Sequence, residues 1–392
     1  MLRAIFLACL LLGTAAADSV IRVTDFGARP NDKNDDTEAI QAACDAAKKR
    51  LFGYRREGTP GMVVSAPEIR FPHGKYRISR TIKVPAGVTL RGEGTGSLIE
   101  FTGEPAEDIF HIRASKQLIE DLIFIGGRHQ LTFSNANIDN TMLTMRRCQF
   151  RFATGFAVRV VPSEGKDHMS SLTLLDGCTF SRNHQCIENN GDLMHLRDCW
   201  MELKQPEMID GPAIVNRSGK LMMTNLCGVP CANPPKGEKY LENARWIDNY
   251  GALRLQYVRF GGEGGGIPAV YNFADGRNPI SPLGGSGTEI IIENSSLCVG
   301  QIKRPNKGAL RLFELPSQIR IEGNFGSTNS PMVILSPELE KRLKDPAELD
   351  HRLRRCFRYT IKNNLACPGP LPAVLRKWFT ADTDVPFARD EK

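Results

Sequence analysis

One short pattern of apolar and polar positions returns along most of the chain. An apolar residue is followed by two polar or turn-forming residues, a small or apolar residue, a variable one, and an aromatic or large apolar one. It reads Ile119-Glu120-Asp121-Leu122-Ile123-Phe124, then Met145-Arg146-Arg147-Cys148-Gln149-Phe150, Leu175-Asp176-Gly177-Cys178-Thr179-Phe180 and Leu196-Arg197-Asp198-Cys199-Trp200-Met201. Weaker copies start at Met223, Leu255, Ile292, Ile321 and Ile361. The fourth positions, from Leu122 through Cys148, Cys178, Cys199, Leu226, Val258, Ser295 and Asn324 to Asn364, lie 21 to 40 residues apart. Periods of that length mark an array of stacked units. Alternation at Leu253 and Leu255, and at Ile290 and Ile292, favours strands over helices as those units.

The third positions hold Asp121, Gly177, Asp198, Asn225, Asn294, Gly323 and Asn363, types that tolerate left-handed backbone; Arg147 and Tyr257 are the exceptions. A two-residue turn there shifts the strand alternation so that first, fourth and sixth positions all face inward. The pattern therefore predicts an all-β solenoid, a parallel β-helix, in which Cys148, Cys178 and Cys199 stack inside as small hydrophobes rather than as ligands. A propeller would need more uniform blades.

A stack of coils needs its ends covered. Asp36 is placed to cap a helix whose Ile40, Ala43, Cys44, Ala47 and Leu51 share one face, with Lys48, Lys49 and Arg50 at its C-terminal end. Ser336-Pro337-Glu338 starts a second helix running towards Arg355, and Leu371 to Phe379 reads as a third.

The chain has 392 residues with 51 basic and 44 acidic side chains, a formal charge of +7. The basic residues are scattered, so nucleic-acid binding is not indicated, while a mild positive bias suits an acidic polymer. Met1-Leu2-Arg3, the apolar run Ala4 to Leu12 and Ala15-Ala16-Ala17 have the layout of a secretory signal peptide over residues 1–17, which predicts a secreted or periplasmic product with no membrane span. Export permits disulfides, for which Cys227 with Cys231 and Cys356 with Cys367 are candidates. No Cys-x-x-Cys pair suggests a structural metal.

Val23-Thr24-Asp25-Phe26-Gly27-Ala28 and Asn34-Asp35-Asp36-Thr37-Glu38-Ala39-Ile40-Gln41-Ala42-Ala43 closely resemble the entry motif of the pectate-lyase-like superfamily. Phe71 to Ile78 and Val88 to Gly94 look like its first coils. The resemblance implies one right-handed parallel β-helix domain over residues 18–370, a C-terminal helix and tail over 371–392, and a polysaccharide as partner. Members of this fold carry many chemistries. Polygalacturonase-like relatives place an Asp pair where this chain has His184-Gln185, and their Gly-His-Gly and Arg-Ile-Lys motifs are missing, which disfavours that chemistry. In the entry motif, Asp25, Asp35 and Asp36 read as turn and cap residues.

The resemblance directs attention to the middle coils. Elimination at a uronic acid needs a base for the C5 proton and a cation on the carboxylate, while glycoside hydrolysis needs two carboxyls. His184, Glu188, Asp192 and His195 are the catalytic candidates, with His184 or His195 as base and Glu188 with Asp192 as an acid pair or calcium ligands. Arg182, Lys204 and Arg217 supply cations. Asp248, Tyr250 and Arg254 form a second group, with Trp246 as a sugar-stacking platform or a packing residue. Asp167-His168 is a third option. The expected activity is polysaccharide lyase, with a glycoside hydrolase and a non-catalytic glycan binder as alternatives. Calcium is the cofactor this chemistry would admit, although no residue pattern demands it, and the sequence leaves the oligomeric state open.

Overall fold

Left-handed residues at the third position of each repeat set the architecture. Asp121, Arg147, Gly177, Asp198, Asn225, Tyr257, Asn294 and Gly323 all have φ between 48° and 65°. Each turns the chain out of one strand and into the next without breaking the register between coils. The turn after Cys178 stays bonded to its neighbours, with Thr179 N–H donating to Cys148 O at 2.9 Å and Trp200 N–H to Cys178 O at 3.0 Å. Arg147 and Tyr257 take this conformation although a Cβ makes it costly, roughly 1–2 kcal/mol. Arg147 gains in return a two-pronged bond to Asp121 on the preceding coil, both contacts 2.7 Å.

The computed structural model describes residues 20–54, 62–65, 67–114, 116–135, 142–162, 172–203, 211–229, 244–261, 268–275, 288–297, 309–326, 333–347, 358–362, 364 and 379–381. Successive strands contribute in turn to three parallel sheets, giving a right-handed parallel β-helix. The first sheet has 13 strands, from Val20–Arg22 to Phe379–Ala381; the second and third have 10 each. A typical coil runs Leu172–Asp176 in the first sheet, Thr179–Asn183 in the second and Gln185–Asn189 in the third.

The interior is filled by rows of like side chains one coil apart. Leu122, Cys148, Cys178, Cys199, Leu226, Val258, Ser295, Asn324 and Asn364 are buried as the repeat predicts. The three cysteines lie in this row with buried thiols, and Cys178 Sγ faces Met145 O of the preceding coil at 3.6 Å. Beside it, Phe124, Phe150 and Phe180 stack with centroids 5.3 and 5.0 Å apart. A third row belongs to the third sheet. There Asn189, Asn216, Asn249 and Asn272 are buried, and each of the first three donates Nδ2–H to the next Oδ1 at 2.8–2.9 Å. The remaining amide protons go to carbonyls such as Ala252 O at 3.0 Å. Every polar group the coils bury in this row thus has a partner.

The entry cap is the helix Thr37–Lys49, with Ile40, Ala43, Cys44 and Ala47 packed into the core. Asp36 precedes it, yet its carboxylate accepts from Arg29 N–H at 2.7 Å and Arg77 N–H at 3.2 Å, tying the entry loop to the first coils. Asp35 caps the helix instead, accepting from Thr37 N–H at 3.0 Å. The second helix spans Pro337–Arg342, capped by Ser336 Oγ on Leu339 N–H at 3.1 Å. Residues 348–357 lie outside the described set, as do 371–378; Phe379, read from sequence as helical, begins the last strand of the first sheet. Residues 1–17, read from sequence as a signal peptide, are outside it too, as are Cys231, Cys356, Cys367, Asp167 and His168. Among the described residues no helix is long and apolar enough to cross a membrane.

Candidate functional site on the third sheet

Register decides which candidate side chains meet. In the third sheet, Ile187, Ile214, Ile247 and Val270 pair across neighbouring strands and face inward, as do the asparagines two residues later. The residue between them faces out, giving the row Arg159, Glu188, Val215, Asp248, Tyr271 and Arg311. The residues after the four asparagines start a second outer row, Asn190, Arg217, Tyr250 and Phe273, continued by Phe313. Glu188, Arg217, Asp248 and Tyr250 therefore share one face across three coils, with strands ~4.8 Å apart.

Glu188 is only 5% exposed and lies between two guanidinium groups. Arg159 Nε donates to one carboxylate oxygen at 2.5 Å and Arg217 Nε to the other. Burial acts to raise the Glu188 pKa, but the hydrogen bonds from Arg217 and Arg159 outweigh it and hold the carboxyl below its ordinary value. A carboxyl held ionised in this way is unsuited to donate a proton. With both oxygens committed and two cations alongside, it is equally unsuited to calcium. Among the described residues no group of three or more His, Cys, Asp or Glu side chains is placed to hold a metal ion.

Two coils further on, Asp248 takes two bonds from Arg245 at 2.5 and 2.6 Å. The Arg245 guanidinium also lies 5.2 Å from the Tyr271 ring centroid. Tyr250, 43% exposed, stands beside this pair. Its phenol pKa is raised by burial and by the Asp248 charge, against the opposing pull of Arg217 and Arg245. From Tyr250 a line of rings continues, with Phe273 at 4.9 Å and Phe313 a further 4.6 Å on, both pairs stacked. The face thus combines guanidinium groups, an exposed phenol and a line of aromatic surfaces, a combination suited to sugars bearing carboxylates.

The other sequence candidates are elsewhere. His195 lies on the first sheet, half-buried, its Nε2 3.0 Å from Thr224 Oγ1; burial and then Arg197 lower its pKa. Asp192 is exposed in the turn entering that sheet, and its backbone oxygen accepts from Lys220 N–H at 2.7 Å. His184 precedes the third-sheet strand, on the edge opposite Arg217 and Tyr250. A five-residue strand, roughly 16 Å long, separates the two edges. Arg182 is an exposed left-handed residue at the end of the second-sheet strand, 6.0 Å from the Phe152 ring. The four catalytic candidates therefore encircle one coil instead of converging. Arg254 is on the first sheet, bonded to Glu293 at 3.0 Å. Lys204 lies outside the described residues.

Trp246 requires correction as a sugar platform. It is 1% exposed and stacks on Phe260 inside the coil at 4.7 Å. Sequence reasoning also missed Arg159, Arg245, Tyr271, Phe273, Arg311 and Phe313. The triplets Ile187-Glu188-Asn189, Ile214-Val215-Asn216, Ile247-Asp248-Asn249 and Val270-Tyr271-Asn272 carry the signal that locates Tyr271 and Phe273; Arg159, Arg245, Arg311 and Phe313 lie outside it.

Three stacked parallel sheets with a helical entry cap define a β-helix protein. Residues 20–104 match the family model described as "Rhamnogalacturonase A/epimerase, pectate lyase-like", so the entry segment is similar to that family. It is similar to a probable glucan endo-1,3-beta-glucosidase of Arthroderma benhamiae, 36% identical over 78 residues that make up 20% of this chain and 7% of that one. The tailspike protein gp49 of Acinetobacter baumannii bacteriophage Fri1, a capsular polysaccharide depolymerase, has the same fold, with a TM-score of 0.50 at 10% identity over 90% of this chain and 61% of that one. The A-module of the Azotobacter vinelandii mannuronan C-5 epimerase AlgE6 gives 0.44 at 15% identity, covering 88% and 85%. The chain thus spans a small part of that glucosidase and under two thirds of the tailspike. The segment matched by the family model ends before Arg159.

Proposed function

We propose that the protein is an exported lyase that cleaves a uronic-acid-containing polysaccharide lying along the outer face of the third sheet. The observation that carries this reading is the charge arrangement there. Arg159, Arg217 and Arg245 hold the two carboxylates of this face, Glu188 and Asp248, and Arg311 adds a fourth cation to the same row. A hydrolase would need one carboxyl kept protonated at neutral pH, whereas Glu188 is shifted the other way. Elimination instead needs positive charge where the uronate carboxylate gathers electron density, and a group that moves a proton.

Arg217 and Arg245 supply that charge, and Tyr250 beside them moves the proton. As phenolate it takes the C5 proton; the C4–C5 double bond forms as the C4–O4 bond breaks, and the phenol returns the proton to the departing oxygen. Protons and electrons balance with no added reactant. Glu188 and Asp248 act as positioning residues that fix the guanidinium groups. The N-terminal leader pattern supports the exported location, and the depolymerase activity of the tailspike with the same fold is compatible with a polymer substrate.

The test is a screen of the protein without its leader against acidic and neutral polysaccharides, following ultraviolet absorbance and reducing ends together. Absorbance rising in step with reducing ends is the expected result. Reducing ends without absorbance would replace elimination by hydrolysis, and silence with retained glycan binding would make the protein a binder.

A further inference from the structure

Arg311 differs from the other arginines of this face. It lies between inward-facing Leu310 and Leu312, so its side chain leaves the outer surface of the third sheet. Its guanidinium lies 5.5 Å from the Tyr271 ring centroid and 5.1 Å from that of Phe313. Arg159, Arg217 and Arg245 each hold a carboxylate, but Arg311 forms no hydrogen bond or ion pair among the described residues, and its Nε is buried without a partner. Glu314, the nearest acid in sequence, is bonded to Arg342 at 2.7 Å. Two aromatic contacts restrict the guanidinium plane, and a fixed plane of N–H donors matches the two oxygens of a carboxylate.

We propose that Arg311, with Phe273 and Phe313, forms a binding subsite for a second uronate of the same polymer, remote from the bond that is cleaved. Arg217 and Arg311 belong to strands three spacings apart, ~14 Å, and the stacked rings of Tyr250, Phe273 and Phe313 bridge that interval. A polysaccharide crossing the coils would rest its apolar sugar faces on these rings while its carboxylates meet Arg217 at one end and Arg311 at the other. Two charged anchors on a rigid sheet favour long acidic chains over short ones, because the second contact becomes intramolecular once the first is made. The inference rests on the proposed acidic substrate but not on the elimination step.

Calorimetric binding of oligogalacturonides and oligomannuronates of defined length, alongside the same oligomers with carboxyls reduced to alcohols, tests it. Arg311→Ala is expected to weaken binding of long acidic oligomers by about tenfold or more, the equivalent of one charge-assisted contact, and to change binding of the reduced oligomers much less. Arg311→Lys should recover only part of the loss, because a point charge cannot repeat the planar fork. Lys49→Ala, which removes a cation from the distant entry helix, controls for net charge and should bind as the parent does. Thermal melting of each variant separates lost binding from lost folding. Binding without any cleavage would defeat the lyase reading and leave the subsite standing. Equal affinity of parent and folded Arg311→Ala for long acidic oligomers, or no acidic oligomer bound by the parent, would overturn the subsite.

Discussion

The Trp246 indole occupies the space that a side chain at Gly228 would need. A Cβ at Gly228 would come within 2.8 Å of both Trp246 Cη2 and Phe260 Cδ1. Neighbouring coils carry Phe180 and Met201 at the same inward position, so the coil with the smallest residue there fills the space with a ring from its own third-sheet strand. Gly228→Ala is expected to cost about 1–3 kcal/mol by overpacking, and Trp246→Ala about 3–5 kcal/mol by leaving a cavity. The double variant should cost less than the sum, since the cavity accepts the methyl group. Denaturant melts of the four proteins measure the coupling, and strict additivity would show that the two residues do not share the space.

The asparagine row sets a different constraint. Asn216 accepts from Asn189 and donates to Asn249 Oδ1 and Ala252 O, all inside the coil. Asn216→Ala removes these bonds together and strands polar groups, each costing about 1–3 kcal/mol. Asn216→Asp should be worse at neutral pH, where the charge is buried, and should partly recover in acid as the carboxyl becomes neutral. A melting temperature for this variant that does not respond to pH would contradict the packing described.

How much of this was legible in the sequence follows from which signal each region carries. The turn between first and second sheets demands left-handed backbone and a small inward residue, so Gly177-Cys178 and Asp198-Cys199 mark the repeat in the sequence, and with it the core row. The third sheet has no such demand at its entrance. Its strands are reached after linkers of one to many residues, as between Asn183 and Gln185 or Leu203 and Pro212. Variable spacing hid the register, and without register the outward residues cannot be aligned. Glu188, Arg217, Asp248 and Tyr250 were found by residue type, and so were His184, Asp192 and His195. Only coordinates separate the group that shares a face from the group that rings a coil. For Trp246 the sequence left platform and packing both open, and register decides for packing: the equivalent residues Cys186, Ala213 and Ala269 of neighbouring coils are buried too.

Acid stability should fall in two stages. Burial is the largest cause of the lowered pKa of both His129 and His195. Below ~6.5, the ordinary histidine value, the unfolded chain therefore binds protons that the folded one resists. Glu188 also has a lowered folded pKa, so its contribution is full above ~4.3 and is lost as pH falls from there through the folded value. Melting temperatures across pH should show His195→Gln removing part of the upper stage and Glu188→Gln part of the lower one. At neutral pH Glu188→Gln should cost about 1–3 kcal/mol, because Arg159 and Arg217 then face each other without the intervening charge. A lower stage unchanged in Glu188→Gln would mean that Glu188 is not clamped as described.

The proton role of Tyr250 has a kinetic signature that a purely structural ring would not give. Burial and Asp248 raise its pKa above the ordinary value near 10, so the phenolate is a minor form at neutral pH and grows as pH rises. The kcat/KM of the lyase reaction should therefore climb through the neutral and alkaline range. Arg217 lowers the cost of the phenolate, so Arg217→Ala should move this rise to higher pH as well as weaken turnover. Tyr250→Phe keeps the ring stacked on Phe273 and removes only the hydroxyl. It should lose roughly 10²–10⁴-fold in kcat, the usual size of a proton-transfer contribution, with glycan binding largely retained. If Tyr250→Phe instead raised KM at unchanged kcat, the phenol would be a contact for the sugar, and the proton carrier would have to be sought elsewhere on the same face.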